Sequence, residues 1–207
     1  MSMEPEKFLT HAEFTLLLKA AKDDRERCLR LLLAGAGLRV SEMTQIKAED
    51  ADFSKGYLHV PALNAKFKKV RTVALLPQVA QAITKLLSGR TKGWLFRGDH
   101  GGHISSRQIQ NILNGIATRA SLQEVKRQNK AGKDRHRIHP HMLRHSFAVW
   151  RLDGGVPVGD LQDQLGHASL ATTGIYLKVS PNHRRGAYMR SKLPGFLAGE
   201  EPQNQAT

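Results

Sequence analysis

Two short runs of alternating apolar and polar residues, GYLHVP (Gly56 to Pro61) and VRTVALL (Val70 to Leu76), constrain the fold most sharply. A period of two suits a strand and cannot serve a helix, so they predict the two arms of a hairpin joined by ALNAKFKK, with a further strand near Asp52. The flanking segments are punctuated as helices. THAE, Thr10 to Glu13, is a capping box that opens an apolar-periodic run to Ala21. A second helix runs from about Asp24 to Ala34 and is ended by Gly35 and Gly37. Helices are predicted from Gln78 to Leu87 and from Ser106 to Ala120, the latter starting at a serine pair suited to capping. Residues Ser121 to Ile138 are polar, rich in Lys and Arg and without apolar period, which predicts a loop facing the ligand. Pro140 sits where the first turn of a helix tolerates proline, so PHMLRHSFAVWRLD reads as a helix ending at Gly154 and Gly155. Shorter helices follow around VGDLQDQLG and LATTGIY. From Pro181 the chain is basic, then interrupted by proline and glycine, and GEEPQNQAT reads as disordered.

The 207 residues, 40% hydrophobic, suffice for one domain with a real core. Lys and Arg number 32 against 18 Asp and Glu, a formal charge of +14. Such a field calls for a polyanionic partner. Nucleic acid is favoured over a membrane, because the longest apolar stretch, LLLAGAG, falls far short of a span and no basic amphipathic helix dominates. The N-terminus lacks the pattern of a secretory signal. The single cysteine, Cys28, excludes a disulfide framework and most thiolate metal sites, which points to a cytosolic protein with Cys28 in the core.

HPHMLRHSFA, His139 to Ala148, places His141, Arg144 and His145 three and four residues apart, so that all three project from one helix face. The His141/His145 spacing suits zinc, but Met142 stands where a metalloprotease carries glutamate, no third ligand is indicated, and the arginine repels a dication. No G-x-S-x-G elbow supports a serine hydrolase, and AGAGLR lacks the lysine of a P-loop. Arginine beside histidine suits a phosphodiester: the guanidinium fork binds two oxygens while an imidazole moves a proton.

Four separated stretches, GLRVSE, AKFKKVR, HMLRHSFA and LGHASLATTGIY, resemble the catalytic domain of the tyrosine recombinases, or phage-type integrases, and the resemblance extends from about Phe8 to Tyr188. It implies a mainly helical α+β fold with a small three-stranded antiparallel sheet, a catalytic domain over residues 1–198 including a coupling tail over about 181–198, and a disordered end over 199–207. It also implies that the N-terminal helical domain common in the family is absent here. Either the sequence is a piece of a longer protein, or it belongs with short members such as the fimbrial phase-switch invertases, to which FLTHAE and HPHMLRHS are similar. By the same resemblance Arg39 and Arg144 are the two arginines that neutralise the scissile phosphate. His141 is the general base, His167 a further donor to phosphate oxygen, and Tyr176 the nucleophile. Glu42 resembles the acidic residue that orients this cluster, with a helix-capping carboxylate as the alternative, and His145 is given a supporting role. The hairpin departs from the family pattern G-K-G-x-K-x-R by lacking both glycines. Lys66 aligns as the general acid, with Lys68 and Lys69 close by. Lys68, Lys69, Arg71, Lys126, Arg127, Lys130, Lys133, Arg135 and Arg137 are the basic residues expected on DNA.

The implied activity is site-specific cleavage and rejoining of double-stranded DNA through a 3′-phosphotyrosyl bond, with no metal or other cofactor. The implied partners are DNA and further copies of the chain, a tetramer of paired dimers on DNA and a monomer when free, in the cytoplasm with the nucleoid. A DNA-relaxing enzyme of the type IB topoisomerase kind and an inactive DNA-binding protein are the alternatives.

Overall fold

The computed structural model describes residues 8–61, 70–99, 101–123, 125–126, 135–167 and 169–178. Helix α1 (His11–Lys19) begins at Thr10, where both halves of the capping box form: Glu13 N–H donates to Thr10 Oγ1 at 3.2 Å and Thr10 N–H to Glu13 Oε2 at 2.8 Å. Helix α2 (Asp24–Gly35), capped by the Asp23 side chain, is the central beam. Its Cys28, Leu29, Leu32 and Leu33 are fully buried, and it packs against α4 (Pro77–Leu87), α5 (Ser106–Arg119) and α6 (Pro140–Asp153). Cys28 thus lies in the core, as its context requires.

Between the short α3 (Val40–Met43) and α4 lies the antiparallel sheet, β1 (Ala51–Asp52), β2 (Tyr57–Val60) and β3 (Arg71–Ala74), in that order. Leu58 faces Val73 and Val60 faces Arg71, with Leu58, Val60 and Val73 buried. The hairpin tip, residues 62–69 with Lys66, Lys68 and Lys69, lies outside the described residues, as do Arg127, Lys130, Lys133 and the tail from 179.

One expectation is corrected. Within the stretch read as loop, β4 (Val125–Lys126) pairs with β5 (Arg135–His136) in a two-residue antiparallel ladder. A ladder this short displays no alternation, so periodicity could not reveal it.

Arg30 is 2% exposed on the core side of α2 and donates from Nη1 to the carbonyl of Leu17 at 2.7 Å. That carbonyl belongs to the last turn of α1, where no intrahelical donor remains. Arg30→Met, close in volume, leaves this buried acceptor dry. It should lower stability by about 1–3 kcal/mol in urea denaturation.

Helix α6 is apolar on two sides. Met142 and Leu143 join the main core, whereas Phe147, Ala148, Val149 and Leu152 join a second cluster with Leu161 and Leu165 of α7 (Val158–Leu165) and with Tyr176. Helix α8 (Leu170–Gly174) runs into a single 3-10 turn, Ile175–Lys178, which carries Tyr176. Among the described residues no helix is long and apolar enough to cross a membrane.

Candidate active site

The site is organised by the C-terminal end of α7. Gly166, in the left-handed region at φ +63, closes the helix: its N–H donates to Asp163 O at 3.0 Å and the His167 N–H to Gln162 O at 3.1 Å. The next three carbonyls point outward and each receives a guanidinium. Arg71 Nη1 donates to Gln164 O at 3.2 Å, Arg144 Nη2 to Leu165 O at 2.7 Å, and Arg39 Nη2 to Gly166 O at 2.9 Å. The negative end of a helix dipole favours cations, so one helix end holds three arginines that lie far apart in the chain. Arg144 also donates from Nη1 to Gly37 O and is 2% exposed. Burial, then Arg39, pulls its pKa down to about 9, which leaves it charged at neutral pH.

Glu42, buried in α3, completes the frame. Its carboxylate accepts from Arg39 Nη1 at 2.8 Å, from Arg71 Nη2 at 2.6 Å and from the backbone N–H of Arg39 at 2.7 Å. It therefore caps the helix and orients the arginine at once. Among the described residues, three guanidiniums against this one carboxylate leave two positive charges in excess. A pentacoordinate phosphorus dianion would match them.

Tyr176 is 2% exposed. Its hydroxyl oxygen lies 2.8 Å from His145 Nδ1, and its ring is stacked at 15° over that of His167 with centroids 6.5 Å apart. His141 packs edge-on against His145, and His167 Nδ1 lies 2.8 Å from Thr173 Oγ1. Burial raises the tyrosine pKa, and Arg144 and Arg39 oppose that rise. The imidazoles move the other way. His145 falls to about 4 through burial and then His141, and His167 to about 4 through burial and then Arg144 and Arg39; His141 is lowered by burial and the same two arginines. His145 and His167 are therefore neutral at pH 7.

This sets a pH dependence. Below the ordinary histidine value of 6.5 the unfolded chain takes up protons that folded His145 and His167 refuse until about pH 4. Stability is therefore full above 6.5 and is lost as pH falls towards 4. Urea midpoints measured from pH 7.5 to 4.5 should decline, and less steeply in a His145→Asn/His167→Asn protein.

The structure brings Arg39, Glu42, His141, Arg144, His145, His167 and Tyr176 close to one another. Two residues expected on DNA face inward instead. Arg71 is clamped between Glu42 and α7, and Arg137 is paired with Glu13 of α1. Strand alternation carries the signal for Arg71, since it shares the inward parity of Val73; nothing local marks Arg137. The tyrosine hydroxyl rests on His145, whereas His141, one turn nearer the N-terminus of α6, lines an open cleft of about 510 Å³ together with Arg39, Arg144, Ser106, Arg107 and Gln110. The part taken by α5 in this cleft was not legible from its sequence.

These features define a cluster of arginine, histidine and tyrosine side chains built on a mainly helical α+β domain. Residues 7–183 match the phage integrase family, and the chain belongs to it. The tyrosine recombinase XerC of Oceanobacillus iheyensis is 36% identical over 174 residues, 81% of this chain and 53% of that protein. Tyrosine recombinase XerA of Pyrococcus furiosus is 35% identical over 202 residues, 94% and 65%. The chain thus spans between half and two thirds of the length of these relatives. In fold it is similar to the crystal structure of XerA recombinase, with a TM-score of 0.71 and 26% identity over 90% of this chain and 66% of that one. It is also similar to the Tn1549 transposon integrase in complex with transposon right end DNA, with a TM-score of 0.69 and 19% identity over 91% and 67%. The fold is that of a tyrosine recombinase catalytic domain.

Proposed function

We propose that this chain is the catalytic part of a site-specific DNA recombinase that cuts and rejoins strands through Tyr176. The observation that carries the reading is that the buried Tyr176 lies within electrostatic reach of Arg39 and Arg144, two side chains that are fixed by the same helix end and line the cleft. A scissile phosphate in the cleft is gripped on its non-bridging oxygens by the two arginines. The Tyr176 hydroxyl gives its proton to His141 and its oxygen forms a bond to phosphorus, while the bond from phosphorus to the 5′ oxygen breaks and Lys66 protonates that oxygen. A 5′ hydroxyl from a partner strand then reverses the step. The ester energy is conserved, so neither a metal nor a nucleotide is needed. Because Tyr176 packs within its own domain, each subunit cuts the phosphate it binds.

His141, at the cleft wall, serves as the general base that takes the tyrosine proton, and His167, held by Thr173, donates to an oxygen of the transition state. Double-stranded DNA is the substrate, in agreement with the charge of +14. Strand exchange takes place between copies of the chain on paired DNA sites, coupled by the 181–198 tail, and the protein works in the cytoplasm on the nucleoid. The names of the relatives favour recombination over simple relaxation of supercoils.

The test is covalent trapping on a pool of nicked duplexes with randomised flanking arms, run in excess chelator. A denaturing gel should show a protein–DNA adduct, and peptide mapping should place the nucleotide on Tyr176. An adduct on another residue, or none across the pool, would overturn the reading.

A further inference from the structure

The sequence resemblance leaves His145 with only a supporting part, yet it is the side chain on which the Tyr176 hydroxyl rests. We propose that His145 is a positioning residue for strand cleavage: its Nδ1 accepts the hydrogen bond of the tyrosine hydroxyl and sets the oxygen at the mouth of the arginine cradle before DNA arrives. The inference rests on the reading of Tyr176 as the nucleophile.

The geometry separates three jobs along two turns of α6. His141 lines the cleft, Arg144 is locked to the carbonyls of Gly37 and Leu165, and His145 is turned towards the 3-10 turn that carries Tyr176. The apolar body of the tyrosine is held by the cluster of Phe147, Leu161 and Leu165, which fixes the ring and leaves the direction of the oxygen to its polar neighbour. The 2.8 Å contact supplies that direction. His141 in turn braces the His145 ring, edge-on with centroids 4.5 Å apart, so the imidazole has a fixed orientation of its own.

Charge distinguishes holding from proton removal. Burial raises the Tyr176 pKa and pulls that of His145 down to about 4, so the bond joins two neutral partners and the proton stays on the oxygen. The bond therefore needs an acceptor at this place and does not need imidazole basicity. An asparagine side chain, whose amide oxygen can occupy the place of Nδ1, should substitute for it.

His145→Ala and His145→Asn are compared with the parent protein in three measurements: DNA affinity, single-turnover cleavage of a trapped nicked duplex, and nitration of Tyr176 by tetranitromethane followed by mass spectrometry. Tyr57, 41% exposed, is the internal control for nitration. His145→Ala should bind DNA as the parent does, cleave at least about tenfold more slowly because the reacting oxygen is misplaced, and nitrate faster at Tyr176 alone. His145→Asn should restore both cleavage and protection to within about threefold of the parent. Parent-like cleavage by His145→Ala would overturn the proposal. So would an Asn protein that binds DNA but cleaves as slowly as the Ala protein, since imidazole proton chemistry would then be what the reaction uses. Failure of the parent to form any adduct would instead remove the cleavage reading, and the nitration comparison would still report the bond.

Discussion

Tyr176→Phe protein should bind DNA with unchanged affinity and form no covalent adduct at any enzyme concentration. The phenyl ring keeps its packing against Phe147, Leu161 and Leu165, and Arg39 and Arg144 keep their carbonyl partners, so the phosphate cradle survives. Only the oxygen that bonds to phosphorus is gone. The Nδ1 of His145 loses its partner, at a cost of about 1 kcal/mol because the ring is only half-buried and water can replace the hydroxyl. Chemistry is abolished while stability scarcely moves. The check is a denaturing gel beside an equilibrium binding titration and a urea curve. An adduct that persists would mean that another nucleophile operates.

Gly37→Ala should lose at least about 100-fold in cleavage although it adds one methyl group away from the reacting atoms. Gly37 has φ +69, where a side chain is strained, and a Cβ there would stand 2.5 Å from Phe147 Cδ1 and 3.1 Å from Leu165 Cδ2. Overpacking of this kind costs about 1–3 kcal/mol, and the backbone must shift to relieve it. The Gly37 carbonyl is one of the two that hold Arg144, and Leu165 carries the other, so the shift displaces the guanidinium from both sides. Single-turnover cleavage at saturating DNA and a urea titration measure the two effects separately. Cleavage within a few-fold of the parent would show that Arg144 does not depend on this carbonyl.

Much of the architecture follows from local signals. The capping box at Thr10, the proline at the first turn of α6, the central helix and the two hairpin strands were all legible, because each is fixed by residues a few positions apart. The β4/β5 ladder was not, being too short to show a period. In the site, the spacing of His141, Arg144 and His145 placed them on one face, and the boxes around Arg39 and Tyr176 marked the rest. The inward turn of Arg71 was written in strand parity but masked by its charge, which on a basic chain reads first as a DNA contact. Arg137 carried no such mark, since its partner Glu13 lies 124 residues away.

The sequence by itself determined which residue types gather at the candidate site and on which elements they ride. The tertiary structure alone decided how they are held. Arg39, Arg71 and Arg144 acquire fixed positions from three successive carbonyls at the end of α7, a helix whose own side chains announce nothing about the reaction. His145 acquires Tyr176 because the 3-10 turn folds back over α6. A glycine can mark where a helix ends and so which carbonyls it leaves unpaired, but no residue pattern records which distant guanidiniums those carbonyls will receive; only the packing of distant segments selects them.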